Sequence, residues 1–489
     1  MSGEQLRESV LSGVRWITLV RVVGEAMSFG ATVVLARLIT PAEFGHVALA
    51  LVVVALAYAL VDESFTGALI QWKSVRKEDW ETSLLLAFAM ALVLVATVFA
   101  LADPVIEPLF GRRTADLFLV ATPAFLLAAL ELVPRAVLTR RLEFRTMSIL
   151  GVGADILRTL TAVFLAAVVG LDGEAIIIAL LVGALAGVAS QLMLVRLPRP
   201  RFDRRSAREL VAFGAPTAGS SVLWNAEQNI DYLVLGAQRS AADLGFYWRA
   251  YALGVQYQTK ITNVMAQMAF PVYSRTPGLD EMRKLRMRVL RVHSVIVVPL
   301  VALLIVAAPD LVPWLYGERW EPAVVPTQIL AVGGIFAALA TGTGPVVLAA
   351  GKPKPLFYWN VGKLTTITLV VLLTAPEGIK AVAIGVTSYR ALECFASYEL
   401  LLHRLVGIPL RSLWTDASAG VLSSLPLLGA AFAAAELGSA LDAPTFVQLL
   451  LIVAAGGLAY LATLRLAFRD AWGDLSLLAR RTFGRGRPA

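Results

Sequence analysis

A chain of 489 residues that is 58% hydrophobic, with a mean hydropathy of +0.74, is too apolar to be a string of soluble domains. Its net charge of +8 and pI near 9.7 would suit a nucleic-acid binder, but the Lys/Arg bias of cytoplasmic loops gives membrane proteins the same surplus, and no nucleic acid is expected. One cysteine, Cys394, excludes an internal disulfide or a cysteine metal cluster, and His46, His293 and His403 are too scattered to suggest a metal site.

The opening MSGEQLRESVLSGVRWITLV has no short apolar core followed by a small-residue cleavage site, so it reads as an amphipathic lead rather than a secretory signal. Apolar runs of about 20 residues follow along nearly the whole chain, each long enough to cross hydrocarbon as a helix. They lack the alternation of an outer-membrane barrel. Fourteen helices are predicted, near 14–36, 46–70, 82–101, 115–134, 147–169 and 175–195, then 211–235, 243–270, 289–308, 324–350, 356–374 and 379–402. Two more, near 415–435 and 446–467, close the series. The connections are short and no soluble domain fits between them.

Loop charge supports the count. Alternate loops carry Lys73, Arg76 and Lys77, then Arg135, Arg140, Arg141 and Arg145, then the run RLPRPRFDRRSAR. The series continues through Arg275 to Arg291, Lys352 and Lys354, Arg404 and Arg411, and ends in RRTFGRGR. About 30 Lys/Arg fall on this side and about 6 on the other, which places both termini in the cytoplasm.

A repeat emerges at an offset of 200 residues. LARLITPAEFG (35–45) lies over LGAQRSAADLG (235–245), matching Leu35 with Leu235, Thr40 with Ser240, Glu43 with Asp243 and Gly45 with Gly245. Each Thr/Ser is placed to cap the next helix, and each acid suits that helix's positive N-terminal end. Six helices per copy is an even number, so the copies enter the membrane in the same direction. The expected fold is an all-α integral membrane protein with two six-helix lobes in parallel pseudo-symmetry. The N-lobe spans 1–197, a basic linker 198–210, the C-lobe 211–403, helices 13 and 14 residues 404–468, and a basic cytoplasmic tail 469–489.

Charges inside the predicted spans are the candidate functional groups, because a charge at the bilayer centre costs at least about 2.5–3.5 kcal/mol and is kept for a partner or a cavity. The cations are Arg21, Arg158, Arg249, Lys260, Lys363 and Arg390; the acids are Glu25, Asp62, Glu63, Glu131, Asp155, Glu227, Asp231 and Glu393. Arg21/Glu25, Asp155/Arg158 and Arg390/Glu393 have helical spacing and can pair. Glu131, beside Pro134 near a helix end, reads as interfacial. Arg249 and Lys260, eleven residues apart, return to one face and need anions from a ligand or from Glu227 and Asp231. Arg suits bidentate phosphate contact and Lys a point charge. In the stretch WNAEQNIDYLVLG, Asn225, Glu227, Gln228, Asn229 and Asp231 spread over half the helix circumference, either lining water or forming a polar seam. No HExxH, GxSxG or Walker loop occurs in the chain, so neither an enzyme nor a cofactor or metal is expected.

The stretch VVLARLITPAEFGHVALALVVVALAYALVDESFTGALIQ (33–71) resembles the opening of bacterial oligosaccharide flippases of the polysaccharide-biosynthesis family. These are Wzx-type proteins, including the lipopolysaccharide and teichuronic-acid exporter branch, in the multidrug/oligosaccharidyl-lipid/polysaccharide superfamily. NIDYLVLGAQRSAADLGFYWRAYAL (229–253) resembles the start of that family's second lobe, and LAAGKPKPLFYWN (348–360) its Gly-x-Pro loop. The resemblance implies two lobes around a cavity open alternately to either side, in a bacterial inner membrane. It implies movement of an undecaprenyl-diphosphate-linked oligosaccharide between leaflets, with H+ or Na+ as coupling ion, and by analogy a lipid-tail groove at helices 13 and 14. On that reading Arg21, Arg249, Lys260, Lys363 and Arg390 meet the diphosphate. Asn225, Gln228 and Asn229 bond sugar hydroxyls, and Glu25, Glu227 and Asp231 bind the ion or tune the cations. The alternatives are a multidrug antiporter of the same superfamily, a lipid II flippase, or a membrane glycan polymerase or ligase. Oligomeric state is not read.

Overall fold

The computed structural model describes residues 24–256, 258–259 and 278–483. Among them the regular structure is helical throughout, with no strand, as a chain in hydrocarbon requires when every backbone N–H and C=O must be satisfied within its own segment. We number the helices α1 (24–38), α2 (Pro41–Gln71), α3 (Lys77–Phe110), α4 (Arg112–Arg140), α5 (Phe144–Val169), α6 (Gly173–Leu192) and α7 (Arg204–Gln238). They continue as α8 (Ala241–Tyr251), α9 (Leu279–Tyr316), α10 (Glu318–Ala349) and α11 (Pro353–Glu377). The rest are α12 (Ile379–Ser397, extended by a π-helical stretch Tyr398–Val406), α13 (Arg411–Ala440), α14 (Thr445–Ala467) and α15 (Arg469–Phe483).

Twelve of the predicted segments fall on α2 to α7 and α9 to α14, and those near 14–36 and 243–270 lie only partly within the described residues, at α1 and α8. Among the described residues ten helices are long and apolar enough to cross a membrane, namely α2 to α6, α9 to α11, α13 and α14. The chain is a multi-pass membrane protein. Besides the short described parts of α1 and α8, the exceptions are α7 and α12, which carry Asn225, Glu227, Gln228, Asn229 and Asp231 on one and Lys380, Arg390 and Glu393 on the other.

By packing, the chain divides into two compact units at Gly245/Phe246. In the first, α7 packs along α2 and α3, α5 pairs with α6, and α4 joins α2, α3 and α6. In the second, α9 packs against α10, α13 and α14, while α12 packs on α10 and α11. Met282, Leu290, Val346, Val347, Cys394, Tyr398 and Leu402 form a buried hydrophobic core in that unit.

Three expectations change. The segments near 102–114 and 309–323, read as outer loops, are almost wholly helical. α3 and α9 run on to Phe110 and Tyr316 and break only at Gly111 (φ 84°, ψ 158°) and Gly317 (φ 98°, ψ 158°). That backbone conformation is essentially reserved for glycine, so FGRR (110–113) and YGER (316–319) make the same abrupt turn.

The basic linker 198–210 is helical from Arg204 onward. The Asp203 carboxylate caps α7, accepting from the Ser206 N–H at 2.7 Å. The segment before it is stitched to α3, because the Thr82 hydroxyl donates to the Arg201 carbonyl (3.1 Å) and accepts the Asp203 N–H (3.0 Å). Ser206 donates to the buried Asp79 (2.7 Å), and Arg76 bridges Asp79 (2.7 Å) and Glu209 (2.9 Å). A run of arginines looks like solvated linker in sequence; here its hydroxyls and acids dock it. Likewise α15 gives helical form to most of the expected tail.

The repeated turn is a packing device. Thr40 accepts the Glu43 N–H at 3.4 Å and Ser240 the Asp243 N–H at 3.1 Å, so both copies are capped alike. A Cβ placed on Gly45 would overlap the Ala241 carbonyl oxygen, and one placed on Gly245 would overlap the Pro41 carbonyl oxygen. The two turns thus meet reciprocally, each glycine beneath the other's helix start. Gly45→Val and Gly245→Val are each expected to destabilise the protein by about 1–3 kcal/mol through overpacking. The double variant should cost less than the sum, since either change opens the same contact. Thermal unfolding midpoints of detergent-solubilised variants check this.

Candidate functional site: charges within the membrane helices

The second unit holds a three-residue charge network. Lys363 on α11 and Arg390 on α12 both meet the Glu393 carboxylate, at 2.9 and 3.2 Å. The three side chains are only 17%, 14% and 12% exposed, so the contacts form in a poorly solvated place. Two cations share one carboxylate. The sequence paired Arg390 with Glu393 by spacing, but Lys363 on another helix had no such signal. Arg249, on α8, is buried with its guanidinium 4.0 Å from the centroid of the Trp248 ring, a cation–π arrangement. Arg21 and Lys260 lie outside the described residues, so the Arg21/Glu25 pair and the Arg249/Lys260 column are not described; Glu25 itself is exposed.

In the first unit, α7 holds the polar stretch. Glu227 and Asp231 are buried, while Asn225, Gln228 and Asn229 are half-buried. Asn225 donates its side-chain N–H to the Ser221 carbonyl (2.9 Å) and Asn229 to the Asn225 carbonyl (2.8 Å), one turn back on their own helix. One Asp231 oxygen accepts the Tyr232 N–H at 3.0 Å. Part of the polarity of this face is therefore consumed within α7 itself. Asp155 and Arg158 form the pair their spacing predicted, at 3.2 Å.

Several contacts had no sequence signal. Arg135 on α4, counted as a loop cation, meets the buried Asp62 of α2 at 2.5 Å, and Thr66 donates to the same carboxylate at 2.9 Å. Arg113 at the start of α4 binds both oxygens of Glu43 (2.9 and 3.2 Å) and the Glu174 carboxylate (2.6 Å), joining α2, α4 and α6. Arg140 donates to the carbonyls of Leu69 (2.8 Å), Ile70 (3.2 Å) and Trp72 (2.7 Å), closing the C-terminal end of α2. In the second unit Arg286 on α9 is 2% exposed and donates to the Tyr398 hydroxyl at 2.8 Å. Partners more than fifty residues away leave no trace in local spacing. No group of three or more His, Cys, Asp or Glu suited to a metal occurs among the described residues.

Residues 34–325 match the family described as polysaccharide biosynthesis protein. The chain belongs to that family. It is 26% identical over 424 residues to the lipopolysaccharide biosynthesis protein WzxC of Escherichia coli (strain K12), covering 84% of this chain and 85% of that one. It is 24% identical over 397 residues to the teichuronic acid biosynthesis protein TuaB of Bacillus subtilis (strain 168), covering 76% and 78%. Among solved structures, the inward closed lipid II flippase MurJ superposes with a TM-score of 0.74 over 93% of this chain and 99% of that one. At 13% identity the likeness to MurJ is one of fold. The family match spans the repeated turn, the α4 clamp and the α7 stretch, but ends before Lys363, Arg390 and Glu393.

Removing Glu393 would leave two poorly solvated cations facing each other. Glu393→Ala is expected to destabilise the protein by about 3–5 kcal/mol, and Lys363→Met by less, because Arg390 still pairs with the acid. Unfolding midpoints of the two purified variants give the comparison.

Proposed function

We propose that this protein moves a polyprenyl-diphosphate-linked oligosaccharide from the cytoplasmic to the outer leaflet of a bacterial inner membrane. It does so by alternating access, for export of a surface polysaccharide. The observation that carries the reading is the Lys363–Glu393–Arg390 network, with Arg249, inside the helices of a polysaccharide-biosynthesis family member. A diphosphate cannot cross hydrocarbon unaided, since even one side-chain charge costs at least about 2.5–3.5 kcal/mol at the bilayer centre. Cations already held in the membrane offset that cost, with guanidinium gripping phosphate in two places and ammonium as a point charge.

The remaining roles follow the same chemistry. Arg21 and Lys260 add to the cationic set, Asn225, Gln228 and Asn229 meet sugar hydroxyls, and Glu25, Glu227 and Asp231 adjust the cations or hold the coupling ion, H+ or Na+. We read α1–α6 and α7–α12 as two copies of one six-helix lobe, with α13 and α14 appended and both termini cytoplasmic. The shared caps of Thr40 and Ser240, the Gly45/Gly245 contact and the Gly111/Gly317 breaks support the duplication.

In a strain lacking the native protein, Lys363→Ala and Arg249→Ala are each expected to reduce surface-glycan export by at least about tenfold at equal membrane abundance, with lipid-linked oligosaccharide building up inside. Normal export in both variants would remove the cations from the substrate path. Hypersensitivity to cationic drugs with intact glycan would instead identify a multidrug antiporter.

A further inference from the structure

A cleft of about 410 Å³ opens within the first unit between α2, α4, α5 and α6. Its α5 and α6 walls approach closely where Gly183 and Gly187 face Ala154, yet its polar lining is dense: Tyr58, Glu131, Arg135, Asp155, Arg158 and Gln191. Arg135 is committed to Asp62 (2.5 Å) and Arg158 to Asp155 (3.2 Å). Glu131 forms no ion pair among the described residues. Its one hydrogen bond comes from the Gln191 side-chain N–H at 3.3 Å. The other end of that amide, Gln191 Oε1, is buried with no hydrogen-bond partner among the described residues.

These facts combine into one device. A membrane carboxylate without a cation is costly when ionised and is relieved by taking up a proton. The Gln191 amide suits both forms: its N–H donates to the carboxylate, and after a half-turn its unused oxygen accepts from the carboxylic acid. The groups facing Glu131 are Tyr58 and Asp62 on α2, Arg135 on its own helix, and Asp155 with Arg158 on α5; α6 contributes only the neutral Gln191. With the acids and arginines paired off, Glu131 is the carboxylate left to change charge. It lies nine residues before Arg140, or about 13 Å from the basic end of α4 that loop charge places in the cytoplasm. Interfacial position, the expectation from sequence, becomes access: the cleft can supply protons from the cytoplasmic side.

We propose that Glu131 is the carboxylate that binds and releases a proton in the transport cycle, with Gln191 as its positioning residue. This rests on the transport reading above, and it places coupling at the α4–α6 cleft of the first unit rather than at Glu25, Glu227 or Asp231. The balance is simple: one proton converts the carboxylate to the neutral acid, and its loss on the other side of the cycle restores the charge.

Dicyclohexylcarbodiimide, which couples to protonated carboxyls in apolar surroundings, provides the test, with peptide mass locating the adduct. In the full-length protein in detergent, label is expected at Glu131 and is expected to weaken as the medium is made more alkaline. Sodium at constant pH should leave it unchanged. Gln191→Leu, kept only if monodisperse, is expected to change labelling at Glu131 while leaving exposed carboxyls as they were, because the carboxyl loses the amide that positions it. Labelling that ignores pH, or that sodium suppresses at fixed pH, overturns the proposal. Glu131→Gln is expected to lower glycan export at least about tenfold at equal abundance. Normal export by Glu131→Gln overturns the proposal while leaving the transport reading intact. That reading falls only if Lys363→Ala and Arg249→Ala also export normally.

Discussion

A charge placed in hydrocarbon must bring its own counter-charge, and much of this structure follows from that demand. Asp62 draws Arg135 across from α4, Asp155 turns to Arg158, and Glu393 holds Lys363 and Arg390 together. Each pairing fixes the rotation of at least one helix, because a charged side chain aimed at lipid would be left uncompensated. Apolar packing alone would not do this: lipid tails are as apolar as leucine, so helices gain little by choosing one another through hydrophobicity. Charge pairs, small-residue contacts and shape decide which faces meet.

The most recognisable part of the chain, TPAEFG, is explained by such contacts and not by ligand chemistry. Thr40 caps α2, Pro41 occupies its first turn, where the missing N–H costs nothing, and Gly45 admits the second copy of the turn. Glu43 is held by Arg113 and by the Gly173 N–H at 3.0 Å, which ties α2 to the start of α6. The residues that announce the family are thus those that join helix ends. This is why resemblance at 33–71 speaks to fold, while the proposed phosphate-binding cations at Lys363 and Arg390 lie beyond the matched segment.

The same division explains what was legible in the sequence. Helix positions were readable because each is a local apolar run, and the pairs Asp155/Arg158 and Arg390/Glu393 because helical spacing is local too. The caps at Thr40 and Ser240 were readable for the same reason. The long-range partners were not: Arg135 looked like a loop cation, and Lys363 like an isolated one. Sequence hydropathy also misjudged helix ends. The polar residues of 102–114 and 309–323 suggested loops, yet α3 and α9 continue into them, because a helix leaving the membrane satisfies its own backbone whatever solvent its side chains meet. Only Gly111 and Gly317, with their glycine-specific backbone, end it.

The α7 stretch shows how structure refines a polar face without erasing it. Asn225 and Asn229 each spend one side-chain N–H on a carbonyl one turn earlier. Such back-bonding leaves the amide oxygen and the second N–H pointing away from the helix axis. With Gln228, whose amide carries both kinds of group, the face keeps side-chain donors and acceptors alike. Such a mixed wall matches the proposed contacts with sugar hydroxyls, because a hydroxyl both donates and accepts.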